Sequence, residues 1–291
     1  MNDPTRSTRR QALHMGLAMS AGLSMPMLGN AQVSQLAERP NPANFESGDL
    51  VWPKPPGAFI PYAGTPPEGL VVEALEARED EWNEQRVQFV RDARAQANEM
   101  NPEERAYMLR LANEVEAMSY TRFFHEYAAG VTPSDFQAYG VGNIAYVGHV
   151  GLIEVDADTK TPWVVEAVFG KNLACTSCVQ RVRYADWLRS RGNVLVWQGR
   201  LRNLNAVQRA SVVAVARQHV NKPYRFFNFN LADDRGFYCS KLVWYAVMKA
   251  TGIAIDGNSQ VRRLFWFSPL QAMKAKAQVE LISSPGNYRN V

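Results

Sequence analysis

Apolar positions follow helical spacing in the first half of the chain and strand-like runs in the second. Residues 68–100 hold Glu, Ala, Arg and Gln without proline, and Leu75, Trp82, Phe89 and Ala93 recur at three- to seven-residue spacings. That pattern predicts one long amphipathic helix. A second helix is expected from Asn101 as N-cap, with Pro102 in its first position and Glu103 and Glu104 at the positive end of the dipole. Tyr107, Leu111, Val115 and Met118 supply its stripe and Gly130 ends it, so residues 68–130 read as a helical hairpin. After Val141 the pattern changes. Runs at 144–155, 162–169 and 194–197 read as strands and 206–219 as a helix; 221–236 is a polar, aromatic loop, and 238–250 is a helix closed by Gly252. Ser268-Pro269 opens a helix through Ala275, and 279–282 is a last strand. Upstream, Gly48-Asp49 leads into a short strand stopped by Pro53, and the stretch from Pro53 to Pro67 holds six of the 16 prolines, a stiff surface loop. Strands mixed with segregated helices, without strand–helix alternation, predict an α+β domain.

Composition narrows the function classes. With 291 residues, 46% of them hydrophobic, the chain is long enough for one domain of about 150 to 250 residues plus an appendage, and disorder or a solenoid is disfavoured. A net charge of +4 supplies little attraction for a phosphate backbone, and the sequence has no ribonucleoprotein aromatic motif or zinc finger, so nucleic acid is not an expected partner.

Thr8-Arg9-Arg10-Gln11-Ala12-Leu13 fits a twin-arginine export signal. The apolar run from Ala12 to Leu28 is diluted by glycine and serine and closes in Leu28-Gly29-Asn30-Ala31, which predicts cleavage after Ala31. The run is shorter than the roughly 20 residues needed to span a bilayer and is broken by Pro26, so no transmembrane segment is expected in the mature chain. Residues 1–31 are then the signal, 32–44 a leader and 45–285 the domain, exported to the periplasm or beyond. Cleavage removes three arginines and one aspartate and leaves a charge of +2.

Export sharpens the cysteine question. Cys175 and Cys178, spaced Cys-Thr-Ser-Cys, are expected to form a structural disulfide pinning the loop after the 162–169 strand; a redox centre is the less economical reading. That leaves Cys239, in the first turn of an apolar helix, where free amides and the dipole favour thiolate. It is the candidate nucleophile. Its expected base is His149, set between Gly148 and Val150-Gly151, where missing side chains leave room for a ligand. A four-residue turn at 156–159 would set Glu166 directly across from His149, able to hold one imidazole nitrogen while the other faces the thiol. His125 and His219 read as packing or surface residues, His219 satisfied by a helix C-terminus. Tyr224 and Tyr238 are candidate substrate or oxyanion contacts beside the Cys239 amide. No cofactor or metal site is expected.

Four motifs in this order, Gly48-Asp49-Leu50-Val51, His149-Val150-Gly151-Leu152-Ile153, Val165-Glu166-Ala167 and Tyr238-Cys239-Ser240-Lys241-Leu242-Val243, with Lys222-Pro223-Tyr224 before the last, resemble the YiiX-like branch of the permuted NlpC-type cysteine hydrolases. The resemblance covers roughly 45–60 and 141–285. It implies a circularly permuted papain-like fold, an antiparallel sheet packed on the helix that starts with the cysteine, with the hairpin at 68–130 inserted. It further implies a Cys239–His149–Glu166 triad in an amidase or peptidase, expected to act on cell-envelope peptides such as peptidoglycan stems or on acylated small molecules. An acyltransferase or lipid acyl hydrolase uses the same triad. A non-catalytic envelope-binding module would instead use Arg181, Arg183, Arg189, Arg191, Arg200 and Arg202 as a basic strip.

Overall fold

The computed structural model describes residues 39–54, 58–59, 71–72, 79–123, 147–228, 230–257 and 267–285. The expected signal, most of the leader and of the proline loop, His125, and parts of the expected hairpin and of the 144–155 strand lie outside the described residues. Six strands form one antiparallel sheet: β1 (Leu50–Lys54), β4 (Gly151–Val155), β5 (Pro162–Lys171), β6 (Thr176–Arg183), β7 (Leu195–Leu201) and β8 (Val279–Ser283), in the order β6-β5-β4-β1-β7-β8. A separate parallel ribbon joins β2 (Ala58–Phe59) to β3 (Val71–Val72). The helices are α1 (Glu79–Ala97), α2 (Pro102–Ala117), the short α3 (Tyr120–Arg122), α4 (Tyr184–Arg191), α5 (Ala206–Arg217), α6 (Cys239–Thr251) and α7 (Pro269–Lys274).

Strand alternation assigns side chains to two cores. Leu50, Trp52, Leu152, Val165, Ala167, Val179 and Trp197 face the core shared with α1, α2, α5, α6 and α7. Val51, Ile153, Val164, Val182 and Val196 face the other way, onto Tyr184 and Trp187 of α4. Helix α6 is buried without a break from Cys239 to Val247 and ends at Gly252, whose left-handed φ of 72° a side chain would oppose. Asn101 caps α2, while Asn205 with Gln208 and Ser268 with Gln271 form capping boxes on α5 and α7. Among the described residues no helix is long and apolar enough to cross a membrane.

β1 is clamped in the middle of the sheet. Gly48 has φ +90° and a Cβ there would meet the Arg209 backbone oxygen at 2.9 Å, so glycine lets the chain pass against α5. Asp49 is wholly buried and accepts from Arg200 at 2.8 and 2.9 Å and from Gln198 at 2.7 Å, tying β1 to β7.

Several boundaries differ from the sequence pattern. β1 runs through Pro53 because it pairs with β4 only at Leu50 and Val51, so the missing N–H costs no ladder bond on that side. Val71 and Val72 are strand, inside the expected first helix. α2 stops at Ala117, and Ser119 caps a new turn by accepting from the Arg122 N–H. β6 and α4 were not legible as elements: arginines and glutamine break the alternation in β6, and α4 is only eight residues long.

Candidate active site

The connection from β4 to β5 fixes the first two residues of the site. It runs from Asp156 to Thr161, six residues where four were expected, held by the Asp156 side chain accepting from the Asp158 and Thr159 N–H groups. Val155 therefore pairs with Pro162, and the ladder extended by one pair sets Glu166 opposite Gly151 instead of His149. A shift of two keeps the face, because side chains alternate with period two. His149 precedes β4, and the Glu166 side chain reaches it across Gly151, where a Cβ would lie 3.7 Å from the carboxylate. The contact is His149 Nε2 to Glu166 Oε2 at 2.7 Å.

Glu166 is 0% exposed and is held by donors on every side. Oε2 accepts from Trp187 Nε1 at 2.7 Å and from Arg191 at 3.0 Å; Oε1 accepts from Gln180 at 2.8 Å. Gln180 lies directly across the β5–β6 ladder from Glu166, and its own oxygen accepts from the Ala174 N–H, which orients its amide. Burial alone would raise the carboxyl pKa, but the Arg191 charge and the bonds to His149 and Trp187 outweigh it and hold it at about 2. An ionised carboxylate accepts only, so His149 Nε2 carries a proton and Nδ1 is the nitrogen left for another partner.

That partner is Cys239. Cys239 is 3% exposed, lies close enough to the imidazole to raise its pKa, and has its Sγ 3.9 Å from the carbonyl oxygen of Gly148, the residue before His149. Burial lowers the imidazole pKa, yet the Glu166 charge, with the neighbouring Cys239, raises it to about 10. Cys239 opens α6, and Tyr238 at the N-cap offers no side-chain bond, so no cap side chain covers the first-turn amides. A chain of thiol, imidazole and carboxylate beside free helix amides can activate sulfur and bind an anionic oxygen.

The remaining expected residues are distributed as follows. Tyr238 is wholly buried and its hydroxyl accepts the Phe267 N–H at 3.1 Å, a packing position where a substrate contact was expected. Tyr224 is half-buried, and its N–H donates to Ser177 O at 2.7 Å. It also bridges to Phe237, two residues before Cys239. Cys175 and Cys178 are joined as a disulfide at the entry to β6, the strand against whose edge Asn221 to Tyr224 lies. His219 packs between the Phe237 and Tyr245 rings, and burial followed by the Lys222 charge lowers its pKa. It is a neutral packing group, so the expected dipole interaction does not account for it.

Sequence reasoning missed Gln180, Trp187 and Arg191. Trp187 and Arg191 stand four apart on one face of α4, the spacing at which helical side chains meet, and that was the available signal. Of the arginines grouped as a basic strip, Arg181, Arg191 and Arg200 are half-buried in ion pairs, while Arg183, Arg189 and Arg202 are exposed. Arg181 pairs with Glu154 at 2.6 Å, Arg189 with Asp186 at 2.7 Å, Arg191 with Glu166, and Arg200 with Asp49 and Glu46. Among the described residues no group of three or more His, Cys, Asp or Glu is placed to hold a metal ion.

Residues 120–284 match the model of the family described as permuted papain-like amidase enzyme, YaeF/YiiX, C92 family. Comparison with curated proteins returns no match. Among solved structures, the chain is similar to one titled crystal structure of metalloprotein yiiX from Escherichia coli O157:H7. The identity is 19%, the alignment covers 54% of this chain and 93% of that chain, and the TM-score is 0.37. The family match spans more than half of the sequence and contains Cys239, His149 and Glu166, so the chain belongs to the C92 family of permuted papain-like amidases, a family of cysteine hydrolases.

Proposed function

We propose that this protein is an exported amidase or peptidase acting on cell-envelope peptides, with Cys239 as nucleophile, His149 as general acid and base, and Glu166 as the group that orients the imidazole. The observation that carries the reading is the 2.7 Å contact of His149 with a buried Glu166 immobilised by Trp187, Gln180 and Arg191, beside Cys239, whose Sγ lies 3.9 Å from the carbonyl oxygen of the residue before His149. A raised imidazole pKa favours an imidazolium beside the sulfur, and the imidazolium favours thiolate. Thiolate attack on the amide carbon forms a tetrahedral oxyanion within reach of the α6 N-terminal amides. His149 Nδ1 then gives its proton to the departing amine, leaving an acyl thioester on Cys239. Water, deprotonated by the same nitrogen, releases the acid and restores the thiol.

The test is alkylation of Cys239 by iodoacetamide across pH, read by mass spectrometry, together with hydrolysis of peptide amides. The expected result is rapid alkylation well below the reference thiol value of about 8.5, lost in His149→Ala, with hydrolysis abolished in His149→Ala and Cys239→Ala. Full hydrolysis in either variant, or alkylation indifferent to His149, overturns the mechanism.

A further inference from the structure

Helix α1 precedes the stretch matched by the family model, which begins at residue 120. It nevertheless forms one wall of a cavity of about 650 Å³ whose other wall is the loop leading to Cys239. From α1 come Gln85, Gln88 and Gln96; from the loop come Tyr224, Asn228 and Asn230. The charged lining cancels, Asp92 and Asp233 against Arg225 and Arg235. Gln85 and Gln96 are exposed, and their side chains make no hydrogen bond to another described residue. Asn228 donates its amide to Gly236 O at 3.0 Å, and Asn230 accepts from the Ala232 N–H at 3.0 Å, which leaves one acceptor on the first and one donor on the second for a ligand. The loop wall is tied to the site backbone: Arg225 N–H donates to Phe237 O at 2.9 Å, two residues before Cys239.

We infer that this groove is a subsite for an extended, uncharged stretch of polypeptide flanking the bond to be cleaved, an inference that rests on the amidase reading above. Carboxamide side chains both donate and accept, as peptide groups do, and a lining of balanced charge selects for no ion. The size agrees. Gln85 and Gln96 are eleven residues apart, about 16 Å along a helix, which an extended peptide covers in about five residues. The volume lies within the range of roughly 300–1,000 Å³ typical of ligand sites. The inserted hairpin then supplies length selection that the catalytic residues alone do not provide.

The experiment is fluorescence anisotropy of a fluorescein-labelled hexapeptide of alternating glycine and alanine, amidated at its C-terminus, titrated with the full chain carrying Cys239→Ala. The same titration is run on that protein with Gln85→Ala and Gln96→Ala added, and with a labelled dipeptide of the same composition. Both substitutions sit on an exposed helical face and replace glutamine by a better helix former, so the fold is retained. The expected result is saturable hexapeptide binding up to millimolar protein, weakened about tenfold by the double substitution, with the dipeptide insensitive to it. Absence of saturable hexapeptide binding, or equal binding by the two proteins, overturns the subsite. Turnover plays no part in the titration. Groove binding by a protein that hydrolyses no amide leaves the subsite standing and removes the amidase reading, while hydrolysis of short amides without groove binding does the reverse.

Discussion

Lys241 is the least comfortable residue in the fold. It is 0% exposed, its Nζ has no hydrogen-bond partner among the described residues, and it stands 5.5 Å from the centre of the Phe237 ring. It also stands in the first turn of α6, where the helix dipole disfavours a cation. Burial pushes its pKa down to about 7 despite the attraction of Asp233. Below about pH 7 the folded protein therefore holds a buried charge that the unfolded chain solvates freely. Between about pH 7 and the ordinary lysine value of 10.5 the unfolded state binds the extra proton, so stability from this residue rises with pH across that window. Lys241→Met is expected to raise the melting temperature near pH 6 by the equivalent of several kcal/mol, with the gain shrinking as pH approaches 10. Thermal unfolding of both proteins at several pH values checks this, and a gain independent of pH sinks the explanation. Glu166 is the opposite case, a buried charge that five donor contacts make tolerable. Its lowered pKa stabilises the fold above about pH 4.5, and that contribution is lost as pH falls towards 2. Cys239 and His149 were legible as residues because a cysteine opening an apolar helix and a glycine-flanked histidine are local patterns. Gln180 was not, since its role comes from standing opposite Glu166 on a strand whose alternation its own polarity interrupts.

At the scale of elements, register and termini decide the site. Strand β4 pairs with β1 over only two residues, which frees the chain before Gly151 to carry His149 away from the ladder and beneath the start of α6. Gly151 is the hinge of this geometry. An added methyl there would meet Val164 Cγ1 at 2.8 Å and crowd the path of Glu166 to His149. Gly151→Ala is expected to destabilise the protein by about 1–3 kcal/mol, the usual cost of overpacking, and to move Cys239 alkylation to higher pH as the His149 contact loosens. Denaturant titration and the alkylation profile read the two effects separately; an unchanged profile with lowered stability would mean that the glycine serves packing alone. The register was the weak link in the sequence reading. A turn two residues longer than assumed moves the pairing without changing the face, so the expected partnership of Glu166 and His149 forms diagonally. Turn length is set by how Asp156 and Thr159 satisfy local amides, and a count of residues does not contain that.

The described residues combine a sheet with a helical core on each face, a buried cysteine-bearing helix, and a pair of helices, α1 and α2, of which α1 borders the loop before that cysteine. Its proposed destination is written only in the first 31 residues. Protein recovered from outside the cytoplasm is expected to begin at Gln32 by N-terminal mass spectrometry, and replacing Arg9 and Arg10 with lysine is expected to leave the chain uncleaved inside. Equal export of that variant would remove the twin-arginine reading. The sequence by itself determined the α+β class, most helix ends, and the family through Cys239, His149 and Glu166 in order. Caps, periodicity and short motifs are local, so they survive in one dimension. Only the tertiary structure decided that β6 and α4 exist and that Trp187, Gln180 and Arg191 hold Glu166. It also decided that Arg181, Arg191 and Arg200 are spent on half-buried ion pairs and that α1 faces the loop before Cys239. Those facts depend on which distant segments a register and a layer bring together, and such contacts are stabilised by burial and charge pairing that no single stretch of sequence contains.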